Sequence, residues 1–150
     1  MSAGRILALD YGTKRIGVAV SDPTRLIARG VATLPNDGAL FDALSAILTH
    51  EEVTYIVVGM PYSLDGGKGK KALEVERFIE RLKRHTSLPV ATWDESFTSV
   101  RAQHTFIETG MKKKKRRQKA RVDTMAARLM LQDYLDHLRE ESAEAGAQNE

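Results

Sequence analysis

The chain of 150 residues contains no cysteine, and that absence excludes disulfides, thiolate zinc sites, iron–sulfur ligation and a cysteine nucleophile together. Aromatic residues are scarce, at 6%. No apolar run approaches the ~18 residues that a membrane helix needs. No apolar core with a small-residue cleavage site follows Met1, so a cytoplasmic protein is expected. What the chain does have is 42% hydrophobic and 29% charged residues, which fit one domain large enough to bury a single core. No internal repeat is visible.

Acids are missing from one stretch. The formal net charge is only +3, yet Lys112, Lys113, Lys114, Lys115, Arg116, Arg117, Lys119 and Arg121 crowd into residues 112–121 without a single acid. Residues 139–150 reverse the sign, with Glu140, Glu141, Glu144 and Glu150 against Arg139. A concentrated basic stripe is the electrostatic footprint of a polyanion partner, and a merely solubilising segment gains little from one sign alone. Nucleic acid is the expected partner. Few aromatics lie near the stripe, so base stacking on a single strand is not supported there.

The stretch from Ile6 to Asp22 organises the rest. Two short runs rich in Val, Ile and Leu flank Gly12-Thr13-Lys14-Arg15, and runs of this length around turn chemistry read as a β-hairpin. Asp10 stands where the first run stops, and a carboxylate on a rigid strand end is well placed to hold a metal ion. Leu26–Leu34 reads as a third strand, between Pro23-Thr24 and the turn Pro35-Asn36-Asp37-Gly38. Asn36 or Asp37 can cap a helix over Ala39–Thr49, where Leu40, Leu44, Ile47 and Leu48 recur at helical spacing. Val53–Gly59 reads as a fourth, buried strand that ends at Met60-Pro61.

The glycine-rich loop from Tyr62 to Gly69 does not match the P-loop pattern and reads as a rim loop. Lys70–His85 predicts a helix on Val75, Phe78, Ile79 and Leu82. Leu88–Trp93 predicts a fifth strand ending at Asp94-Glu95, and Ser96–Thr109 a helix stopped by Gly110. The last helix is expected from Ala120 to about Glu141, with Val122, Met125, Ala126, Leu129, Tyr134, Leu135 and Leu138 near one face. Residues 142–150 read as a disordered acidic tail after a domain spanning 1–141. The order β-β-β-α-β-α-β-α-α predicts an α/β fold with a mixed five-stranded sheet. A three-strand antiparallel meander feeds α/β units flanked by helices, an order similar to the ribonuclease-H-like one.

Three carboxylates stand out: Asp10, Glu95 and Asp123. Asp22 falls roughly 20 Å from Asp10 across the predicted hairpin and reads as a turn residue. Asp133 and Asp136 lie about 15 Å or more along the last helix from Asp123, too far to share its ion. Asp94 and Glu95 point to opposite faces if the strand persists through them, so one of the two can reach the site. His50, His85, His104 and His137 have no ligand-type spacing and read as surface residues. Trp93 reads as core packing. Lys14 and Arg15 can reach a substrate phosphate near Asp10.

At these residues the chain closely resembles the YqgF (RuvX) family of ribonuclease-H-like proteins, described as pre-16S rRNA nucleases and Holliday junction resolvases. The likeness rests on the block from Leu9 to Asp22, on Val57-Val58-Gly59-Met60-Pro61, on Asp94-Glu95-Ser96, and on Val122-Asp123 leading into Leu131-Gln132-Asp133-Tyr134-Leu135. It runs to about Leu138. The resemblance selects Glu95 over Asp94 and implies a nuclease in which Asp10, Glu95 and Asp123 are catalytic and hold Mg²⁺ or Mn²⁺. Chemistry agrees, since phosphodiester hydrolysis uses divalent ions and these hard ions favour carboxylate oxygens. Many ribonuclease-H-like nucleases use four such groups. Here Lys119, Ala120, Ala126 and Ala127 occupy the places one turn from Asp123, so a second ion would be held weakly or only with substrate phosphate present.

The resemblance implies structured RNA, a ribosomal RNA precursor, as substrate. Three other readings stand beside it. A DNA junction resolvase would need two active sites and therefore a homodimer, whereas a nuclease can be monomeric. A non-catalytic RNA-binding module would use Lys112–Arg121 without depending on the carboxylates. The Asp-x-Gly-Thr turn also resembles the first phosphate loop of actin-like and sugar-kinase ATPases, but those need a second domain, for which 150 residues leave no space.

Overall fold

The computed structural model describes residues 4–61, 69–95 and 117–148, and within the last of these the side chains of 124–144. Five strands, β1 (Arg5–Tyr11), β2 (Arg15–Ser21), β3 (Ala28–Pro35), β4 (Val53–Met60) and β5 (Val90–Asp94), form one sheet in the order β3-β2-β1-β4-β5. The first three pair antiparallel, and β4 and β5 add in parallel to β1. Helices α1 (Leu40–His50), α2 (Lys70–His85) and α3 (Arg117–Gln148) cover the sheet. This is the mixed sheet that the order of elements predicts.

Side chains alternate across a strand, so each strand feeds two cores. Leu7, Leu9, Ile16, Val18, Ile56 and Val58 pack with Leu44 of α1 and with Val75, Phe78 and Leu82 of α2. Ile6, Ala8, Ala19 and Val57 pack on the other side with Ala126, Ala127, Met130, Leu131 and Leu135 of α3. Burial on both faces is why β1 and β4 read as nearly unbroken apolar runs rather than as alternating ones.

Several boundaries differ from the sequence expectation, each for a local reason. β3 starts at Ala28 rather than Leu26 because the Asp22 carboxylate accepts the Leu26 and Ile27 amides, both at 2.8 Å, and keeps them in the turn. The N-cap of α1 is Ala39, without a side-chain hydrogen bond. Asp37 accepts the Ala39 amide one step earlier, and Asn36 is committed to the β1–β2 hairpin instead. α3 shows Met125 as 40% exposed and Leu129 as only partly buried, whereas Ala127, Met130 and Leu131 are fully covered. Ala126 and Ala127 let the helix approach the sheet closely, Met130, Leu131 and Leu135 fill the rest of the contact, and Met125 and Leu129 lie at its flank. The helix also continues to Gln148 through the region read as a tail. Ala143, Glu144, Ala147 and Gln148 are good helix formers, and that propensity outweighs the polar composition.

Two polar contacts dock α3 against β3. The Gln132 side chain accepts the Ala28 amide at 2.8 Å and donates to the Leu26 carbonyl at 2.9 Å. Nearer the helix start, the Thr124 hydroxyl meets that of Thr33 at 2.5 Å. Trp93 joins the second core edge-on to Tyr134, with 5.5 Å between ring centroids, and its indole N–H is buried without an acceptor among the described residues. Burial, followed by the hydrogen bond with Tyr55, pushes the Tyr134 hydroxyl well above the ordinary tyrosine range. The expected helix over 96–109, the loop 62–68 and the basic residues 112–116 lie outside the described residues. Among the described residues no helix is long and apolar enough to cross a membrane.

Candidate active site

Asp10 is the residue from which the site can be built. Leu7 and Leu9 face α1 and α2 while Ile6 and Ala8 face α3, so alternation puts Asp10 on the α3 face of β1. Across the sheet it pairs with Gly17 of β2, and Gly17 pairs with Thr33 of β3. On the other side the pairing of Leu9 with Val58 leaves Gly59 of β4 beside Asp10. Gly59 in turn pairs with Trp93 of β5, and Glu95 follows two residues on, with the same facing.

The Glu95 carboxylate turns back over Gly59. A Cβ built on Gly59 would lie 2.5 Å from Glu95 Oε1, 3.2 Å from its Cδ and 2.5 Å from Met130 Sδ. Gly59 thus leaves a hollow, floored by β4 and walled by the buried Met130 of α3, in which the carboxylate sits. Adjacent strands lie about 4.8 Å apart, so Glu95 is brought within one strand spacing of the strand that carries Asp10. Both acids are half-buried.

Asp123 lies in α3, the helix that packs over this face, one turn before the buried Ala126 and Ala127. Its side chain lies outside the described residues, as do those of Arg117, Lys119 and Arg121, and Lys112, Lys113, Lys114, Lys115 and Arg116 lie outside them altogether. Among the described residues no group of three His, Asp or Glu side chains is placed to hold a metal ion. The two carboxylates that share this face suit Mg²⁺ or Mn²⁺ in kind. They are hard carboxylate oxygens beside a hollow kept open by a glycine. The described histidines stand elsewhere. His85 stacks on Phe41 at 4.2 Å, His137 lies 5.1 Å from Trp93 and pairs with Glu141, and His50 is exposed at the end of α1.

Asp94, at the end of the edge strand β5, lines an open groove of about 640 Å³ with Trp93 and with Asp133, Asp136, His137 and Glu140 of α3. Asp22 serves its turn, as expected. The Thr24 hydroxyl first, then the Ile27, Leu26 and Thr24 amides, hold its carboxyl well below the usual carboxylate range. Lys14 is exposed and Arg15 half-buried at the hairpin tip that follows Asp10.

With this geometry in view, comparison with known proteins is direct. A family model described as RuvX, Holliday junction resolvase, matches residues 4–137. The chain belongs to this family. A Bacteroides thetaiotaomicron protein named "Putative pre-16S rRNA nuclease" is 42% identical over 136 residues, covering 90% of this chain and 98% of the relative. A Desulfitobacterium hafniense protein of the same name is 39% identical over 140 residues, covering 93% and 97%. Among solved structures, Thermus thermophilus RuvC in complex with a Holliday junction substrate superposes with a TM-score of 0.56 at 13% identity, covering 88% of this chain and 93% of that one. A second RuvC structure from the same organism gives 0.52, covering 84% and 92%. At such low identity the likeness is one of fold.

Sequence reasoning missed three supporting residues of this RuvX-family site. Gly59 and Met130 form the seat of Glu95, and Asn36 braces the hairpin. A glycine at the end of an otherwise β-branched run was a legible sign of close approach, since glycine weakens a strand unless something needs its space. Nothing local marked Met130, whose role depends on which face of α3 meets the sheet.

Proposed function

We propose that the chain is a metal-dependent nuclease that hydrolyses phosphodiester bonds in the 5′-end processing of pre-16S rRNA. The observation that carries this reading is the seat of Glu95 over Gly59, on the strand beside Asp10 and on the face covered by α3 that Asp10 shares. The names of relatives that match nearly end to end support the ribosomal RNA substrate. Asp10 on β1 and Glu95 over β4 would hold Mg²⁺ or Mn²⁺, with Asp123 of α3 as the third donor. When bound, such an ion supplies charge neutralisation at the phosphate and a water that is nucleophilic at neutral pH.

The protein's own part is positioning. Asp10 is fixed by a strand bonded on both sides, and the Gly59 hollow confines Glu95 to one place. Lys14 and Arg15 contact a substrate phosphate beside Asp10, and the cations from Lys112 to Arg121 contact phosphates farther along. A second reading, resolution of branched DNA, is favoured by the description of the family and by the fold shared with junction-bound RuvC. It would require a homodimer with two active sites.

The deciding experiment compares Mn²⁺- and Mg²⁺-dependent cleavage of a pre-16S 5′-leader RNA and of a synthetic four-way DNA junction, using wild type and Asp10→Asn. Cleavage of the RNA alone, lost in the variant, supports rRNA processing. Paired nicks in the junction would move the function to resolution. Binding of either substrate without Asp10-dependent cleavage would leave a binding module.

A further inference from the structure

We infer that Asn36 is the positioning residue for Lys14, setting the hairpin tip so that this cation reaches the substrate phosphate beside Asp10. The inference rests on the proposed role of Lys14 in substrate binding and adds to it the residue that enforces the geometry. Asn36 follows the last residue of β3, and it bonds to three successive carbonyls of the β1–β2 loop. Its side-chain amide donates to Gly12 O at 3.0 Å and Thr13 O at 3.2 Å, and its backbone N–H donates to Lys14 O at 2.9 Å. A side-chain amide has two donor hydrogens, and here both contacts fall on the tip.

Several features show that this is a constraint on the tip rather than ordinary turn chemistry. The loop from Gly12 to Lys14 joins two strands that are fully paired up to Tyr11 and from Ile16, so it has no other freedom once its carbonyls are fixed. A Cβ on Gly12 would lie 2.4 Å from the Arg15 carbonyl oxygen, so the loop is folded tightly upon itself. The chain contains no cis peptide among the described residues. In a trans peptide the N–H points opposite to the C=O, so the Gly12 and Thr13 carbonyls held by the Asn36 side chain fix the direction of the Thr13 and Lys14 amides, while the Lys14 carbonyl held by the Asn36 backbone turns the Arg15 amide toward β1. The tip whose carbonyls Asn36 holds carries the exposed Lys14, and an ammonium on a backbone so fixed is suited to meet one phosphate group. Asp37, the next residue, gives its carboxylate to the Ala39 amide at the start of α1, so the two polar neighbours divide the work between helix and hairpin.

The test is a double-mutant cycle in the full chain, in an Asp10→Asn background so that binding is read without turnover. The probe is a fluorescein-labelled RNA carrying the pre-16S 5′ leader, titrated at several salt concentrations with wild type, Asn36→Ala, Lys14→Gln and the double variant. Lys14→Gln is expected to weaken binding about tenfold and to lower the salt slope by about 0.9, the loss of one phosphate contact. Asn36→Ala removes no charge, yet it is expected to lower the slope by the same amount and to add nothing in the Lys14→Gln background. Arg29→Ala breaks the Arg29–Glu51 pair at 2.8 Å on the far side of β3, and serves as a control that costs stability without touching the tip. It should leave the slope unchanged. If Lys14→Gln has no effect, the role of Lys14 fails. If Lys14→Gln acts but Asn36→Ala leaves the slope intact, or the two effects simply add, the positioning role of Asn36 is overturned.

Discussion

Gly59 and Glu95 share one volume: a methyl on the glycine would stand 2.5 Å from the carboxylate oxygen Oε1. The other atom in the way is Met130 Sδ, also at 2.5 Å, and both belong to the ends of flexible side chains. Gly59→Ala should therefore leave the fold nearly intact while expelling Glu95 from its seat. Expected are a melting temperature within a few degrees of wild type and a fall in metal-dependent cleavage of about tenfold or more. A variant of wild-type activity would separate Glu95 from the chemistry.

Asp10→Asn changes charge and almost no volume, so folding should survive while cleavage is lost. RNA binding in the same variant should stay within about threefold of wild type, because the cations that meet phosphate are elsewhere. Replacing Lys112, Lys113, Lys114 and Lys115 by Gln should give the reverse, weaker binding with a salt slope lowered by several units. An unchanged slope would remove the basic run from the interface.

Most of the scaffold was legible in the sequence, and the reasons are visible in single residues. Hydrophobic periodicity located every described strand and helix because each meets its core in the standard way. The Val75, Phe78, Ile79 and Leu82 stripe marks α2, whose limits, Lys70 and His85, were those read from the sequence. Asp10 drew notice because a carboxylate ending an apolar strand is costly unless it has a task, and its place on the α3 face follows from the alternation of β1. Illegible were the relationships that depend on contacts distant in sequence. Asn36 looks like a cap and braces a loop more than twenty residues away. Met125 and Leu129 fit the period of α3, but the face that meets the sheet is turned toward Ala127, Met130 and Leu131, a rotation that the helix's own pattern does not reveal.

Acid should loosen the turn between β2 and β3 before it affects the cores. The Asp22 carboxyl is held well below its ordinary value of 3.8, chiefly by the Thr24 hydroxyl and then by the Ile27 amide. A folded-state value below the unfolded one means the contribution is complete above about pH 4 and is lost as pH falls toward the folded value. Thermal melts of wild type and Asp22→Asn between pH 2 and 7 should show a stability gap that narrows on acidification. A gap constant across that range would show that the charge is not what holds the turn.

The two docking points of α3 should separate stability from activity. Gln132→Ala leaves the Ala28 amide without its acceptor, a loss of about 1–3 kcal/mol that acts in the middle of the helix, more than two turns beyond Asp123. Gly30→Val acts nearer the helix start, because even a Cβ on Gly30 would lie 2.5 Å from Cγ2 of Thr124, the residue after Asp123. That methyl cannot turn aside readily. It belongs to a β-branched side chain whose hydroxyl is held by Thr33. The start of α3 must then move off the sheet, carrying the neighbouring Asp123 with it. Gly30→Val is therefore expected to reduce cleavage about tenfold or more and to raise the Mn²⁺ concentration needed for half-maximal rate. Gln132→Ala should lower the melting temperature with cleavage per folded molecule unchanged. If both variants lose activity in proportion to stability alone, the placement of the α3 start does not govern the site.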